Sequence, residues 1–598
     1  MNRSGTSHYV VAAILGVALP AACLGACGDD RGRFVEQEQK FEPDAAIDAP
    51  DCRLQCSLDG RNVIEACTGN VVEKCPDNLA CGGAKCIEPC AAAAEDKSSN
   101  GCDFFFQAPL LTKQLPPSCY AAFIVNTSTQ PIDLSLELEG KPIDVSKAMF
   151  RTAAGTADLV QHEGSIPVGE SVILFLSDAS PEMPRNPTWQ LSYSACPTGV
   201  IPATFAHTLT GGTGIGSSFR LKTNAPVSLT AVYPFGGASS YVPSAMLVFP
   251  VASWAKEHIL VNGWDEPGGY GGPGAQIVAA EDDTEITIIP KQAIQDGEGI
   301  KGVRAGLPVK YKLAKGQHLR LVQDQPLTGS IVASDKPTSI VGAHSCADIP
   351  STAGTCDIVA QQIPAFENWG SEYVGVGYRP RLGNEHEPVP YRIVAARDGT
   401  MLDYDPEIPP GAPTTLNAGE SALFQNGTGD AFVVRTQDSE HPIYVSAHMT
   451  GSAGGGKAKP YGYRGDPEFV NVVATSQYLN AYSFYADPSY GEASLVVVRS
   501  KLRGELKDVW LECAGNLTDW KPIGTRGDYE YTRVDLAKGG GAGDKFGSSV
   551  CRNGLQRMKS EGPFTATLWG WDFAASYAYP GGMAQRKLVD APLLGGPH

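Results

Sequence analysis

The chain repeats itself, and that constrains its fold more than any single motif. Ile277-Val-Ala-Ala-Glu-Asp-Asp-Thr284 returns as Ile393-Val-Ala-Ala-Arg-Asp-Gly-Thr400, displaced by 116 residues. A fixed period of this kind marks copies of one structural unit. Each copy reads as strand, tight Asp turn, strand, with turn residues where a hairpin needs them. A second element, a strand that crosses a glycine into apolar alternation, occurs around Gly169, Gly316 and Gly419, and faintly around Gly539. A third reads as a hairpin with proline at its second strand: Asn224-Ala-Pro226, Asp335-Lys-Pro337 and Glu440-His-Pro442. Trp254 and Trp369, each following a proline, lie 115 residues apart. Together these spacings give a unit of about 105–116 residues, too long for one propeller blade and enough for a sandwich of seven or eight strands.

The expected fold is therefore all-β: three or four tandem β-sandwich-like repeats forming an elongated body, with a β-propeller of about six blades as the alternative. Short runs such as Tyr120–Val125, Ser171–Leu176 and Tyr444–His448 carry the apolar, β-branched and aromatic residues of strands, bounded by Gly, Pro, Asn and Asp. No long stretch keeps the helical apolar spacing. Boundaries drawn from the repeats place β units at 101–260, 261–375, 376–490 and 491–598. A net charge of −18 over 598 residues leaves no basic footprint for nucleic acid.

Ahead of the repeats, Tyr9 to Leu24 is apolar and short for a membrane span. Leu24-Gly25-Ala26-Cys27 resembles a lipobox, which implies a lipoprotein signal over 1–26 and a lipidated Cys27. Gly28 and Asp29 after it resemble lipoproteins sent to the outer membrane. The segment 27–51, rich in Asp, Glu, Gln, Ala and Pro, reads as a flexible tether.

Export also accounts for the cysteines, because disulfides persist outside the cytosol. Of sixteen, Cys23 goes with the signal and Cys27 with the lipid, leaving an even number. Cys52, Cys56, Cys67, Cys75, Cys81, Cys86 and Cys90 crowd into the region 52–100, where apolar side chains are few and covalent staples are needed. No Cys-x-x-Cys occurs in the chain, which disfavours zinc. Seven is odd, so at least one of these must pair outward, with Cys102, Cys119 or Cys196 as candidates. Further along, Cys346 with Cys356 and Cys513 with Cys551 are expected pairs.

Gly342-Ala-His-Ser-Cys346-Ala-Asp-Ile-Pro350, Cys356-Asp357, Gln361-Gln-Ile-Pro364 and Trp369-Gly370 resemble the N-terminal domain named for the IgG Fc-binding protein. Ser217–Leu221, Ala225-Pro-Val227, Ile277–Thr284 and Ser576–Gly582 look like the same family in the same order, so the resemblance spans about residues 101 to 585. The upstream Cys-rich module looks like a companion found in bacterial lipoproteins of this kind. The family pattern has His where this chain has Ile358. The resemblance implies a non-catalytic extracellular recognition or adhesion module, and the family's label does not name the ligand.

Independent chemical signals are sparse. There is no Gly-x-Ser-x-Gly elbow, His-Glu-x-x-His pair or Walker loop, so no catalytic residue is assigned. His344 and His448 occupy matching places, with Tyr233 in the first repeat, and read as packing residues. Glu281-Asp282-Asp283 and Glu385-His386-Glu387 offer the hard oxygens that calcium takes, without the alternating spacing of a calcium loop. No cofactor is expected, and calcium is the one candidate ion. The tryptophans Trp254, Trp369, Trp569 and Trp571 read as core anchors. The functional expectation is a lipid-anchored outer-membrane protein displayed at the cell surface, touching the membrane through its lipid alone and recognising an extracellular protein or glycan. The alternatives are an envelope spacer without a ligand and an anchored polysaccharide hydrolase.

Overall fold

The computed structural model describes residues 53–57, 60–109, 118–152, 156–180, 194–205, 212–239, 243–268, 271–452 and 461–593. The expected signal, tether, Cys27 and Cys52 lie outside them. Among the described residues the regular structure is nearly all strand, with one α-helix, Pro89–Asp96, and four short 3-10 turns.

From Gly101 the chain lays down the same seven strands four times. The first strands are Gly101–Phe106, Ala255–Ile259, Glu372–Gly375 and Leu479–Ala486; the second are Tyr120–Asn126, Pro273–Ala279, Pro388–Ala395 and Glu492–Leu502. The third are Leu134–Leu138, Thr284–Ile289, Thr400–Asp405 and Val509–Leu511; the fourth, Lys141–Ile143, Val309–Leu313, Thr415–Leu416 and Gly515–Asn516. The fifth are Ser171–Ser177, Gln317–Val322, Ser421–Gly427 and Tyr529–Lys538. The sixth strand is long: Phe219–Tyr233, Ile331–Ala347 and Gly554–Asp572, split in the third repeat into Phe432–Thr436 and Ile443–Met449. The seventh are Ser244–Leu247, Asp357–Ile363, Glu468–Asn471 and Ala575–Pro580.

Pairing makes each repeat a sandwich. One sheet runs fifth, second, sixth, seventh; the other runs fourth, third, sixth, first, so the long strand belongs to both. In the second repeat Ile277 and Leu319 of one sheet share a core with Ile286 and Ile288 of the other. Burial follows the layers. Thr284–Ile289 alternates between core and surface, whereas Pro273–Ala279, covered on both faces, is buried throughout.

Two local readings are corrected. The Asp-turn motif is not a hairpin: Pro273–Ala279 pairs with the fifth and sixth strands, and Thr284–Ile289 with the fourth and sixth, but not with each other. The turn, with Asp283 at φ 57°, carries the chain from one sheet of the sandwich to the other. The proline motif is not a hairpin either. Pro226 and Pro337 lie inside continuous sixth strands, and the first pairing register shifts between Lys222 and Val227. Proline lacks the N–H that a ladder needs, so the strand leaves one sheet there and enters the other. Pro563 inside Gly554–Asp572 is a fourth copy, while Pro442 falls where the third repeat's strand is split.

A 3-10 turn joins each seventh strand to the next repeat: Val251–Ser253, Phe366–Asn368 and Thr475–Gln477. The residue after each is a buried aromatic, Trp254, Trp369 or Tyr478. Both indoles donate to a carbonyl five residues back, Trp254 to Phe249 at 3.1 Å and Trp369 to Pro364 at 3.0 Å. These anchors sit at the junctions between consecutive repeats.

The repeats are not strung in a line, contrary to the elongated body expected. Their four seventh strands pack around a common axis, first against second, second against third, third against fourth, and fourth against first. The closing contact is apolar, with the Phe123 and Tyr485 rings 4.5 Å apart in a core shared by the first and fourth repeats. The segment that enters the first repeat and the one that leaves the fourth meet at the same seam, where Ser99 N donates to Met583 O at 2.8 Å.

Ahead of the ring, Leu54–Cys56, Asn62–Glu65 and Val71–Lys74 form one small sheet and Ala80–Gly82 with Lys85–Ile87 another. Disulfides join Cys56 to Cys81 and Cys75 to Cys86, and Cys67 is also disulfide-bonded. Cys90, in the helix, reaches outward to Cys102 in the first strand of the ring. Within the repeats the bonds are Cys119–Cys196, Cys346–Cys356 and Cys513–Cys551.

Candidate functional site

Because the seventh strands are equivalent in the four repeats, the loops that lead into them have equivalent places. Among the described residues these are 234–239 with 243, 346–356, 450–452 with 461–467, and 572–574. Three are tied directly to one another. Gly451 N donates to Ile349 O at 2.7 Å, Gly465 N to Asp572 O at 2.8 Å and Ala574 N to Tyr463 O at 2.7 Å. Thr355 Oγ1 donates to Asp466 Oδ1, and Asp466 N to Ser576 Oγ at 3.1 Å. Loops held this way present side chains without first having to be ordered.

What they present is aromatic. The Tyr463 and Phe573 rings sit 5.0 Å apart, Phe573 is 53% exposed, and Leu382 nearby in the chain to Arg381 is 54% exposed. Tyr463 and Ala574 both hold left-handed backbone, at φ 63° and 47°. That conformation is costly for a bulky residue and persists only where surrounding bonds enforce it. Beneath the rings the buried Arg381 guanidinium bonds Glu387 at 2.6 Å, Thr450 O at 2.8 Å and Arg464 O at 3.0 Å, and its carbon lies 3.7 Å from the Tyr461 ring centre. Arg381 thus pins the segment that carries Tyr461 and Tyr463.

Glu387, one of the candidate calcium oxygens, is 1% exposed and serves Arg381 and Tyr378. Its neighbours diverge, Glu385 toward Arg533 at 3.1 Å and His386 toward Asp430 at 3.1 Å. Glu281, Asp282 and Asp283 form a turn in which Asp282 accepts from Lys315 N and Asp283 pairs with Lys312. Neither trio converges on an ion, and no group of three metal-ligating side chains is found among the described residues.

Both repeat histidines are internal. His344 receives Cys346 N on Nδ1 at 3.0 Å and has Nε2 2.9 Å from Glu266 O, the pattern of a neutral ring donating through Nε2. Burial pushes its pKa down to about 4. His448 lies against Trp264 and Phe469, and burial with the nearby Arg392 charge lowers it to about 3.

Under the loop face the axis is polar and sealed. Asp357, Asp466 and Glu468 are each 1% exposed or less. Burial raises Asp357 and Glu468 well above the ordinary carboxyl range and Asp466 to about 7, and the neighbouring acids raise Asp357 further. A sugar chain has no room among them, so their arrangement does not serve glycoside hydrolysis, which needs two carboxyls flanking a bound glycosidic bond.

Sequence reading did not assign work to Gln361 and Gln362. Gln361 Nε2 donates to Ala245 O in the first repeat and to Ala578 O in the fourth, both at 2.9 Å. Gln362 Oε1 accepts from Phe249 N at 2.6 Å, and its carbonyl accepts from Asn471 Nδ2 of the third repeat at 2.9 Å. Two adjacent glutamines in the strand that runs from Asp357 to Ile363 were the available signal, since polar groups are buried where they have partners.

A family model described as IgGFc binding protein matches residues 244–570, more than half of the chain. The chain belongs to the IgGFc binding protein family. Curated proteins give no match. The matched span opens on the first seventh strand and closes within the last sixth strand, so it covers three of the four axis strands and stops short of Phe573 and Ala575–Pro580. Ile358 is fully buried in a core with Val341, Ala343 and Ala360. No polar site exists at that position.

Proposed function

We propose that this protein is exported, anchored through lipid on Cys27 and displayed at the cell surface, where the loop face recognises an extracellular protein or glycan without catalysis. The observation that carries the reading is the exposed Phe573 ring against the half-buried Tyr463, held on strained, mutually bonded loops of a chain whose family is described as IgGFc binding. Aromatic side chains on rigid backbone lose little entropy on contact and favour recognition. The disulfides accord with an oxidising compartment. An exposed aromatic patch also counts against a spacer without a ligand.

The anchor is tested by protease shaving of intact cells, with and without Cys27→Ala. Loss of the C-terminal repeat from wild-type cells, with release of the variant to the medium, is expected; a protected wild-type protein overturns display. Recognition is tested by screening glycans and surface proteins with wild type and Phe573→Ala. A ligand lost by the variant at unchanged melting temperature supports the face, and equal binding by both rejects it.

A further inference from the structure

Each sandwich has its fifth strand toward the edge of a sheet, and in three repeats another strand covers that edge. Met149–Thr152 pairs with Ser171–Ser177 in the first repeat, and Lys521–Ile523 with Tyr529–Lys538 in the fourth. In the second, Gln317–Val322 is covered by Gly214–Ser217, a strand that comes from the first repeat and pairs antiparallel. The third repeat departs from this. Ser421–Gly427 pairs with Pro388–Ala395 on one side and, among the described residues, with no strand on the other. The counterpart of the connection that delivers Gly214–Ser217 is residues 323–330, which are short and bound to their own repeat, with Gly329 N on Leu260 O and Leu260 N on Ser330 O, each at 2.8 Å.

The open side is set to pair. Thr428 N donates to Glu387 O at 2.9 Å and Ala395 N to Glu420 O at 3.0 Å, so the even-numbered residues turn their backbone groups toward Pro388–Ala395. Ser421, Leu423 and Gln425 turn theirs outward, and all three are exposed, Leu423 at 45%. Ser421–Gly427 holds no lysine, proline or charged residue, the devices with which proteins blunt an edge.

The covered edge of the second repeat shows what fits. Ile277 pairs with Leu319 and Ile393 with Ala422, so His318 and Arg320 stand where the third repeat has Ser421 and Leu423. A Cβ on Gly216 would lie 2.5 Å from the Arg320 guanidinium and 2.6 Å from His318 Nε2, which restricts the covering strand to glycine there. With Ser421 and Leu423 in those places the restriction is lifted, and Leu423 offers apolar contact to a side chain opposite it.

We propose that Ser421–Gly427 is a docking edge for one extended segment of another protein, taken up antiparallel as Gly214–Ser217 is on the second repeat, with apolar residues opposite Ser421 and Leu423. Main-chain bonds to Ser421, Leu423 and Gln425 supply affinity, and the two facing side chains supply selectivity. The occupant is a single strand because the precedent is one, a segment delivered by a connection and not the edge of a second sheet. This edge and the Tyr463–Phe573 pair are separate elements, and neither reading depends on the other.

The test is hydrogen exchange on the full-length protein with and without a millimolar capped heptapeptide, in which threonine and valine alternate between terminal serines so that two valines flank a central threonine. Residues 420–428 are expected to exchange severalfold more slowly with the peptide. N-methylation of the two valines, whose N–H groups would face the edge, is expected to abolish the slowing, and N-methylation of the central threonine to leave it. Leu423→Pro removes an outward N–H that no ladder uses, so it is expected to keep the melting temperature and lose the slowing. No slowing, equal slowing by the two methylated peptides, or undiminished slowing in Leu423→Pro overturns the proposal. Should that variant not fold, the two methylated peptides decide the matter on the wild type. A wild-type dimer that Leu423→Pro dissolves would put a second copy on the edge and overturn the proposed occupant.

Discussion

The Cys-rich module and the four-repeat ring reach order by opposite means. In the module the buried apolar cluster among the described residues is Val63 with Cys75 and Cys81, joined by the helix residues Ala92 and Ala93, and its strands are three or four residues long. So little apolar surface cannot offset chain entropy, and covalent bonds restrict the unfolded state instead. In the ring, each sandwich has a core of aliphatic and aromatic side chains, and the first and fourth repeats share one. There the disulfides decorate a structure that packing already specifies. Burial sufficient for a core makes order cooperative across repeats; its lack makes order local.

The sharpest way to break this contrast is to remove an inter-repeat anchor. Trp369→Ala empties a site that is 1% exposed and should cost the ring about 3–5 kcal/mol in denaturant unfolding. The module's exchange protection should stay unchanged. The converse change is the pair Cys56→Ser and Cys81→Ser. It frees a loop spanning 25 residues and should cost the module about 3 kcal/mol, read as lost protection over 60–87 with the ring's melting unaltered. A ring that melted with the module would show that the two are not separately ordered.

Gln361→Leu is smaller and tests whether polar ties matter in a well-packed ring. It leaves the Ala245 and Ala578 carbonyls unpaired, at about 2 kcal/mol. Smallest at neutral pH is a titration effect. His318 is buried beside Arg320, and burial first, then that charge, lowers its pKa to about 3. The folded state stays neutral there while the unfolded imidazole protonates below about 6.5, so stability is lost as pH falls from 6.5 toward 3. Relative to His318→Asn, the wild-type ring should lose up to about 1.4 kcal/mol per pH unit across that window. The module has no histidine between residues 53 and 100 and should show no such difference.

Much of the ring was legible in advance. The period, the strand content and the anchoring tryptophans follow from local sequence, because alternation, turn residues and aromatic spacing act within a few residues. The third anchor escaped notice because Tyr478 stands where the others have tryptophan. The Asp turn and the internal proline were legible as turn and break but not as sheet crossings. A turn's residues specify its own backbone, whereas the partner that the next strand meets is specified by the far sheet.

The loop face was legible only in pieces. Arg381, Glu387 and Thr450 are separated by up to 69 residues, and the ring that joins Tyr463 to Phe573 closes over 110. Nothing local marks Glu387 as buried, and in the sequence it reads as one more acid before a proline.

Amino-acid order alone establishes that the chain is all-β, that it repeats with a period near 110 residues, and that it resembles a family recognisable from its Cys-to-Trp segment. Each of these is written in short-range pattern. Only the packed chain establishes that the long sixth strand serves two sheets, that four sandwiches close around one axis, and that Asp357, Asp466 and Glu468 are buried there. These depend on contacts between residues more than a hundred positions apart, such as Gln361 with Ala245 and Ala578, whose cost in chain entropy is recovered only when the whole ring packs.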